Sequence, residues 1–206
     1  MGKVYIASMN LRGVHATRPP GTDRLNVTSA QGKNNLDRLD FSPMTFIEGG
    51  YKGYPNFEAA WQSGKVFDGV SEEKVKKFWK NIEEAKRRYP DSKGKKVLYS
   101  RFDWCYPNEK MDYVTSRKKV YVPFYNQMLQ DKKRALYWRQ KVQNGTDVVI
   151  YDFDGPRMDD GTPICLEVDV ETLSQKINDS RFPFGHGYVV AAFIAGIEIK
   201  EFIGRE

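Results

Sequence analysis

Cysteine and histidine are scarce in this chain. Its 206 residues hold two of each: Cys105 and Cys165, His15 and His186. Neither pair has metal-ligand spacing, so a zinc site is not expected, and two cysteines make no disulfide scaffold. No stretch approaches the roughly 18 consecutive apolar residues of a membrane span. The opening MGKVYIASMN has neither a long apolar segment nor a small-residue cleavage pattern, so no secretory leader is read there. A cytoplasmic, reducing setting without membrane attachment is the expectation. G-x-G-x-x-G, the Walker lysine loop and the G-x-S-x-G elbow are all missing, and no Cys–His pairing has recognisable spacing. Nucleophilic thiol chemistry therefore has no support. The DFDG at 152–155 has no further ligands of a calcium loop.

Aromatics and positive charge are plentiful. Phe, Tyr and Trp make up 14 % of the residues, enough to build a core and to line a cleft for a flat ligand. The formal net charge is +6, and the surplus lies between residues 74 and 141 in KVKKFWK, AKRRYP, SKGKK, SRKK and DKKRALYWRQK. Phe78, Trp79, Tyr89, Tyr121, Tyr137 and Trp138 are interleaved with these cations. That pattern fits a phosphate-bearing partner or nucleic acid; it equally fits solvated helix faces.

Periodicity suggests an α+β fold, a single compact domain that is mainly helical with a small mixed sheet. KVYIAS reads as an opening strand, and the loop-rich stretch after it holds one short strand at RLNVTSA. A helix starts at Asn56, where Phe57, Ala60, Trp61 and Gly64 follow the 3.6-residue repeat. Glu58, Gln62 and Lys65 share its second face. Ser71 opens another helix that Pro90 stops, with Val75, Phe78, Trp79 and Ile82 as its core stripe. KKVLYSRFDW reads as a strand. The segment 118–145 reads as a short extended piece and then one long helix, with Pro123 in its first turn and Asn144-Gly145 as its stop. TDVVIYDFDGP is the clearest strand, ICLEVDV another, and VETLSQKINDS a short helix. Tyr188–Ala195 is apolar throughout, so periodicity leaves helix and strand open there.

Three places concentrate chemistry. Glu58 lies one turn from Trp61, where partial burial would suit a carboxylate to acid–base work; an ordinary wet helix face is the alternative. Asp152 and Asp154 end a buried strand, and alternation puts both on one side if the strand runs that far. Gly185 and Gly187 flank His186 at a helix start, where exposed N–H groups can hold phosphate or simply make a turn.

FSPMTFIEGGYKGYPNFEAAWQSGKVF resembles the opening signature of the NADAR superfamily, through Phe41-Ser42, Gly53, Tyr54-Pro55, Glu58, Trp61-Gln62 and Lys65. MLQDKKRALYWRQKVQNGTDVVIYDFDGP and FGHGYVVAAF are similar to later family segments in order and spacing. Asp154-Gly155-Pro156 stands where that family has Trp-Gly after its acidic residue, Glu58-Ala59 where it has Glu-His, and residues 1–40 match nothing in it. The resemblance implies a NADAR-like catalytic domain over 41–206, with 1–40 as a strand and extended loop region packed on it. It also implies an N-glycosidase or ADP-ribosyl hydrolase that needs no cofactor or metal. The substrate would be a phosphorylated ribosyl small molecule or an ADP-ribosylated nucleic acid. Glu58 with Asp152 or Asp154 would be catalytic. Trp61 would stack on a ring, and Lys65 would hold phosphate or the leaving base. Gln62, Arg139, Gly185 and Gly187 would complete binding, with Lys132, Lys133 and Arg134 as further phosphate contacts. The rival expectations are a non-catalytic nucleic-acid-binding accessory protein using residues 74–141, and a ribosyl or glycosyl transferase.

Overall fold

Val148–Asp152 (β6) is buried at all five positions, as its unbroken apolar run requires. It forms the middle of a four-stranded sheet. In the computed structural model, which describes residues 1–11 and 18–205, Val4–Ser8 (β1) and Asp23–Asn26 (β2) pair with it in parallel on either side. Cys165–Glu167 (β7) adds an antiparallel edge beside β1, giving the order β2-β6-β1-β7. The protein is α+β: helices dominate, and this sheet is small and mixed.

The chain divides into two units. The first comprises Met1–Ser42 and Val122–Glu206, and the second, Pro43–Tyr121, is inserted between them. The N-terminal segment is thus no appendage, since β1 and β2 flank the central strand. In the first unit, Leu36–Phe41 (α1), Val122–Leu129 (α5), Lys133–Gln143 (α6), Val170–Asn178 (α7), His186–Ala195 (α8) and Ile199–Ile203 (α9) surround the sheet. Every residue of α8 from Gly187 to Ile194 is buried. A helix apolar all round has no stripe to read, which is why its sequence could not be told from a strand.

In the second unit, Phe57–Ser63 (α2) and Glu72–Lys80 (α3) accompany a three-stranded antiparallel sheet of Lys65–Phe67 (β3), Val97–Phe102 (β4) and Tyr106–Met111 (β5). Tyr113–Ser116 (α4) and a π-helical turn, Arg117–Tyr121, end it. Its core gathers Tyr54, Ala59, Ala60, Phe67, Val75, Trp79, Ile82 and Tyr89. Each aromatic buried there contributes about 1.5–3 kcal/mol.

Four readings are corrected. The helix after Ser71 stops at Lys80, capped by Asn81, because Ile82 and Tyr89 fold back onto the Trp79 cluster instead of extending a solvated helix. The stretch expected to be extended before one long helix is helical, and that helix is two. α6 starts afresh at Lys133, where the backbone N–H of Arg134 donates to Asp40 at 2.9 Å, a distant carboxylate satisfying an orphan donor of the first turn. Lys65 is not on the helix face with Glu58 and Gln62: α2 ends at Ser63, and Lys65 opens β3. Finally, β6 ends at Asp152, so strand alternation does not set where Asp154 points, although both carboxylates approach Gly185. Asp152 is 3 % exposed and Asp154 faces solvent. Within the loop-rich stretch, α1 was not foreseen; the part of that reading at 12–17, His15 included, lies outside the described residues.

The end of β6 grips the start of α8. Asp152 Oδ2 accepts the Gly187 N–H at 2.9 Å, and a Cβ on Gly187 would come within 2.6 Å of the Asp152 Cβ. Alanine inside a helix normally gains stability over glycine, but here crowding outweighs it. Gly187→Ala should lower the unfolding free energy by roughly 1–3 kcal/mol, read by urea denaturation; a stabilised variant would show that α8 does not sit this close to β6.

Candidate functional site

The second unit holds one cluster of the expected residues. Asn56 caps α2, accepting the Ala59 N–H at 2.8 Å and donating its own amide to Met44 O at 3.1 Å. Pro55 stands just ahead of the cap. Phe57, Ala60, Trp61 and Gly64 are all buried, and Gly64 is glycine because a Cβ would strike the Phe102 ring at 2.3 Å. Trp61 is 6 % exposed. Its ring stacks on Phe102, with centroids 5.2 Å apart, and meets the Tyr121 ring edgewise at 4.9 Å. It is a core residue here, with one face already covered by Phe102. Glu58 and Gln62 are half-buried, and the Gln62 amide donates to Glu58 Oε1 at 2.6 Å. From β3, Lys65 Nζ lies 5.9 Å from the Trp61 ring centre, a cation–π approach that holds the ammonium beside this helix.

In the first unit the structure brings together Asp152, Asp154, Gly185 and Gly187. A Cβ on Gly185 would lie 2.7 Å from both Asp152 Oδ2 and Asp154 Cβ. The two glycines are therefore explained by close packing against carboxylates, and the Gly187 N–H is already engaged by Asp152. His186 Nε2 is 2.8 Å from Val27 O; a carbonyl only accepts, so that nitrogen carries the hydrogen. His186 Nδ1 faces Asp152 Oδ2 at 3.4 Å. Tyr125, its ring 6.0 Å from the imidazole, donates its hydroxyl to Phe41 O. Burial first, then the charges of Asp152 and Asp40, holds its phenol well above the usual range. Arg139 is elsewhere: its guanidinium lies 5.1 Å over the Phe193 ring and beside Gly196, at the opposite end of α8.

Several cations in the basic middle of the chain are paired with acids. Lys76 and Arg101 bind Asp103 and Glu72, and Lys119 binds Glu109. In the first unit Arg134 binds Asp37, and Lys141 binds Asp23. Arg134 is thus committed to α1, and its guanidinium also lies 4.5 Å over the Tyr137 ring.

One residue of interest had no sequence signal. Arg117 is 1 % exposed, sits on the π-helical turn, and places its guanidinium 4.8 Å over the Tyr113 ring. Buried arginines are rare, and π turns often mark functional positions. Within SRKK nothing distinguishes it from Lys118 and Lys119. Among the described residues no three His, Cys, Asp or Glu side chains group to hold a metal ion, and no helix is long and apolar enough to cross a membrane.

These features, an α+β protein with one carboxylate–amide pair on α2 and one strand-end carboxylate gripping a buried helix, define a class by architecture alone. A family model of unknown function, DUF6939, matches residues 40–163, more than half of the chain. The chain belongs to that family. No curated protein and no solved structure matches it.

Cys105 is also placed in the second unit, and burial pushes its thiol from 9.0 up to about 11. Only about one molecule in ten thousand would carry the thiolate at pH 7. Tyr51 is held at about 12, from 10.0, by burial and then by Cys105. Raised values mean that the neutral forms are favoured in the fold. Their contribution is complete below pH 9 and is lost as pH climbs toward about 11 and then about 12. Stability should therefore fall along this alkaline limb. Tyr51→Phe should flatten the part above pH 10, as followed by circular dichroism; an unchanged limb would remove Tyr51 as its source.

Proposed function

We propose that the protein is an N-glycosidase-like hydrolase that cleaves the C–N bond at the anomeric carbon of a phosphorylated ribosyl compound, a free nucleotide or an ADP-ribosyl group. The observation that carries this reading is the Glu58–Gln62 hydrogen bond on a capped helix, with Lys65 Nζ 5.9 Å from the Trp61 ring of that helix. Breaking a glycosidic C–N bond builds oxocarbenium character on the sugar, with the electron pair leaving on the base. A fixed carboxylate can stabilise that cation and accept a proton from the attacking water, while the departing base takes up a proton. Gln62 orients Glu58 through its amide, and the Lys65 ammonium suits a phosphate or the anionic leaving base. Asp152, committed to Gly187, is a positioning residue for α8 in this reading. Asp154 is the solvent-facing carboxylate of its pair.

Of the residues that carry the NADAR resemblance, Glu58, Trp61 and Gln62 lie on α2, which supports this choice. The transferase alternative would use the same groups with an acceptor hydroxyl in place of water. The nucleic-acid-binding alternative draws on a basic stretch in which Lys76, Arg101, Lys119, Arg134 and Lys141 are paired with acids, which leaves fewer of its cations for a polyanion.

Base release should be measured with a panel of nucleoside 5′-monophosphates, NAD and ADP-ribosylated guanosine. Glu58→Gln keeps an acceptor for Gln62 yet cannot take a proton. It should lower turnover by about 10²-fold or more, with the unfolding midpoint and ligand affinity nearly unchanged. Lys65→Ala should chiefly raise KM. Wild-type protein that releases no base from any of these compounds, or a fully active Glu58→Gln, would overturn the reading.

A further inference from the structure

The three parallel strands of the first unit end side by side, at Ser8, Asn26 and Asp152. The carboxyl ends of parallel strands are where a sheet opens a crevice to ligands. Here they open a cavity of about 430 Å³, lined by Ser8, Arg24, Asn26, Gln31, Asp37 and Tyr151 among others. That volume is within the range of small-molecule sites. None of these residues belongs to the α2 cluster.

Charge selects the ligand. Arg24 is exposed, and its guanidinium rests 5.1 Å over the Tyr151 ring, which restrains a long side chain without neutralising it. Among the described residues it makes no ion pair. Asp37, the acidic group of the lining, is taken by Arg134 Nε at 2.6 Å and Trp138 Nε1 at 3.0 Å. Arg24 is thus the cation of the lining that makes no ion pair, and the charge of Asp37 is balanced by Arg134.

The two amides are oriented by their neighbours. The Thr28 N–H and hydroxyl donate to Asn26 Oδ1 at 2.9 and 2.8 Å. An N–H can only donate, so the Asn26 NH₂ is the end left for a ligand. Gln31 Nε2 donates to the carbonyls of Asn26 at 2.6 Å and Thr28 at 3.4 Å, which leaves its Oε1 as an acceptor. A donor and an acceptor, fixed by the hydrogen bonds of Asn26 and Gln31, thus share one concavity with a guanidinium that rests on Tyr151.

We propose that this cavity binds a small phosphorylated metabolite of about nucleoside monophosphate size. Its phosphate sits on Arg24, and its hydroxyls or base edge meet Asn26 and Gln31. The assignment does not depend on the hydrolase reading: it concerns binding, and its test reads no turnover.

Isothermal titration calorimetry on the full chain should use AMP, GMP, ribose 5-phosphate and adenosine. Heat is expected from one or more of the phosphorylated probes and not from adenosine. A preference for AMP or GMP assigns a nucleotide, and equal affinity for ribose 5-phosphate assigns a sugar phosphate. Arg24→Ala should weaken binding about tenfold or more. Asn26→Asp, which still accepts from Thr28 but sets a negative charge in the cavity, should do so as well. Lys33→Ala removes the same charge from an exposed position away from the lining and should leave affinity unchanged. The proposal is overturned by no binding of any phosphorylated probe at millimolar concentration, or by adenosine binding as tightly as AMP. Lys33→Ala weakening binding as much as Arg24→Ala would also overturn it, since the attraction would then be diffuse. So would wild-type affinity in both cavity variants.

Discussion

A single carboxylate organises the first unit. Asp152, at the last position of the central strand, accepts a backbone N–H from the first turn of the most buried helix. A buried charge needs partners, and the helix start supplies one with its dipole favouring the negative group. The grip demands glycine on either side of His186, because the strand end and the helix backbone approach closer than a Cβ permits. His186 extends the contact to β2 through Val27. One polar residue thus ties the end of β6 to α8 and, through the imidazole, to the connection leaving β2.

That arrangement changes what the acidic strand end means. A carboxylate at the tip of a buried strand invites a catalytic reading, yet this one is occupied in holding a helix. In the proposed reading the carboxylate suited to chemistry is Glu58, half-buried and oriented by an amide on its own helix. The general lesson is about satisfaction: a buried acid whose acceptor capacity meets a fixed backbone donor is architecture, whereas one oriented by a neighbour and still reached by water can act on a substrate.

The same logic applies to positive charge. Several of the cations, Lys76, Arg101, Lys119, Arg134 and Lys141 among them, meet acids within their own unit, so part of the positive charge is balanced locally. Arg24 rests on the Tyr151 ring and makes no ion pair among the described residues, and this single, local charge says more about a ligand than the total of +6.

Much of this protein was legible in order. The sequence by itself determined the central strand, the α2 helix with its buried stripe, the α+β class and the Glu58–Gln62 pairing, because each depends on residues within a turn or two of one another. Tertiary structure alone decided the rest. Whether Asp152 or Asp154 is buried turned on where β6 stops. Lys65 left the helix to pair with Ser100 of β4 as the first residue of β3, and α6 starts afresh where Asp40 accepts the Arg134 N–H. Arg24, Asn26 and Gln31 became a cavity only when the strand ends were brought together. Periodicity records what a segment does with its neighbours in the chain; close approach and capping by distant residues leave no period to read.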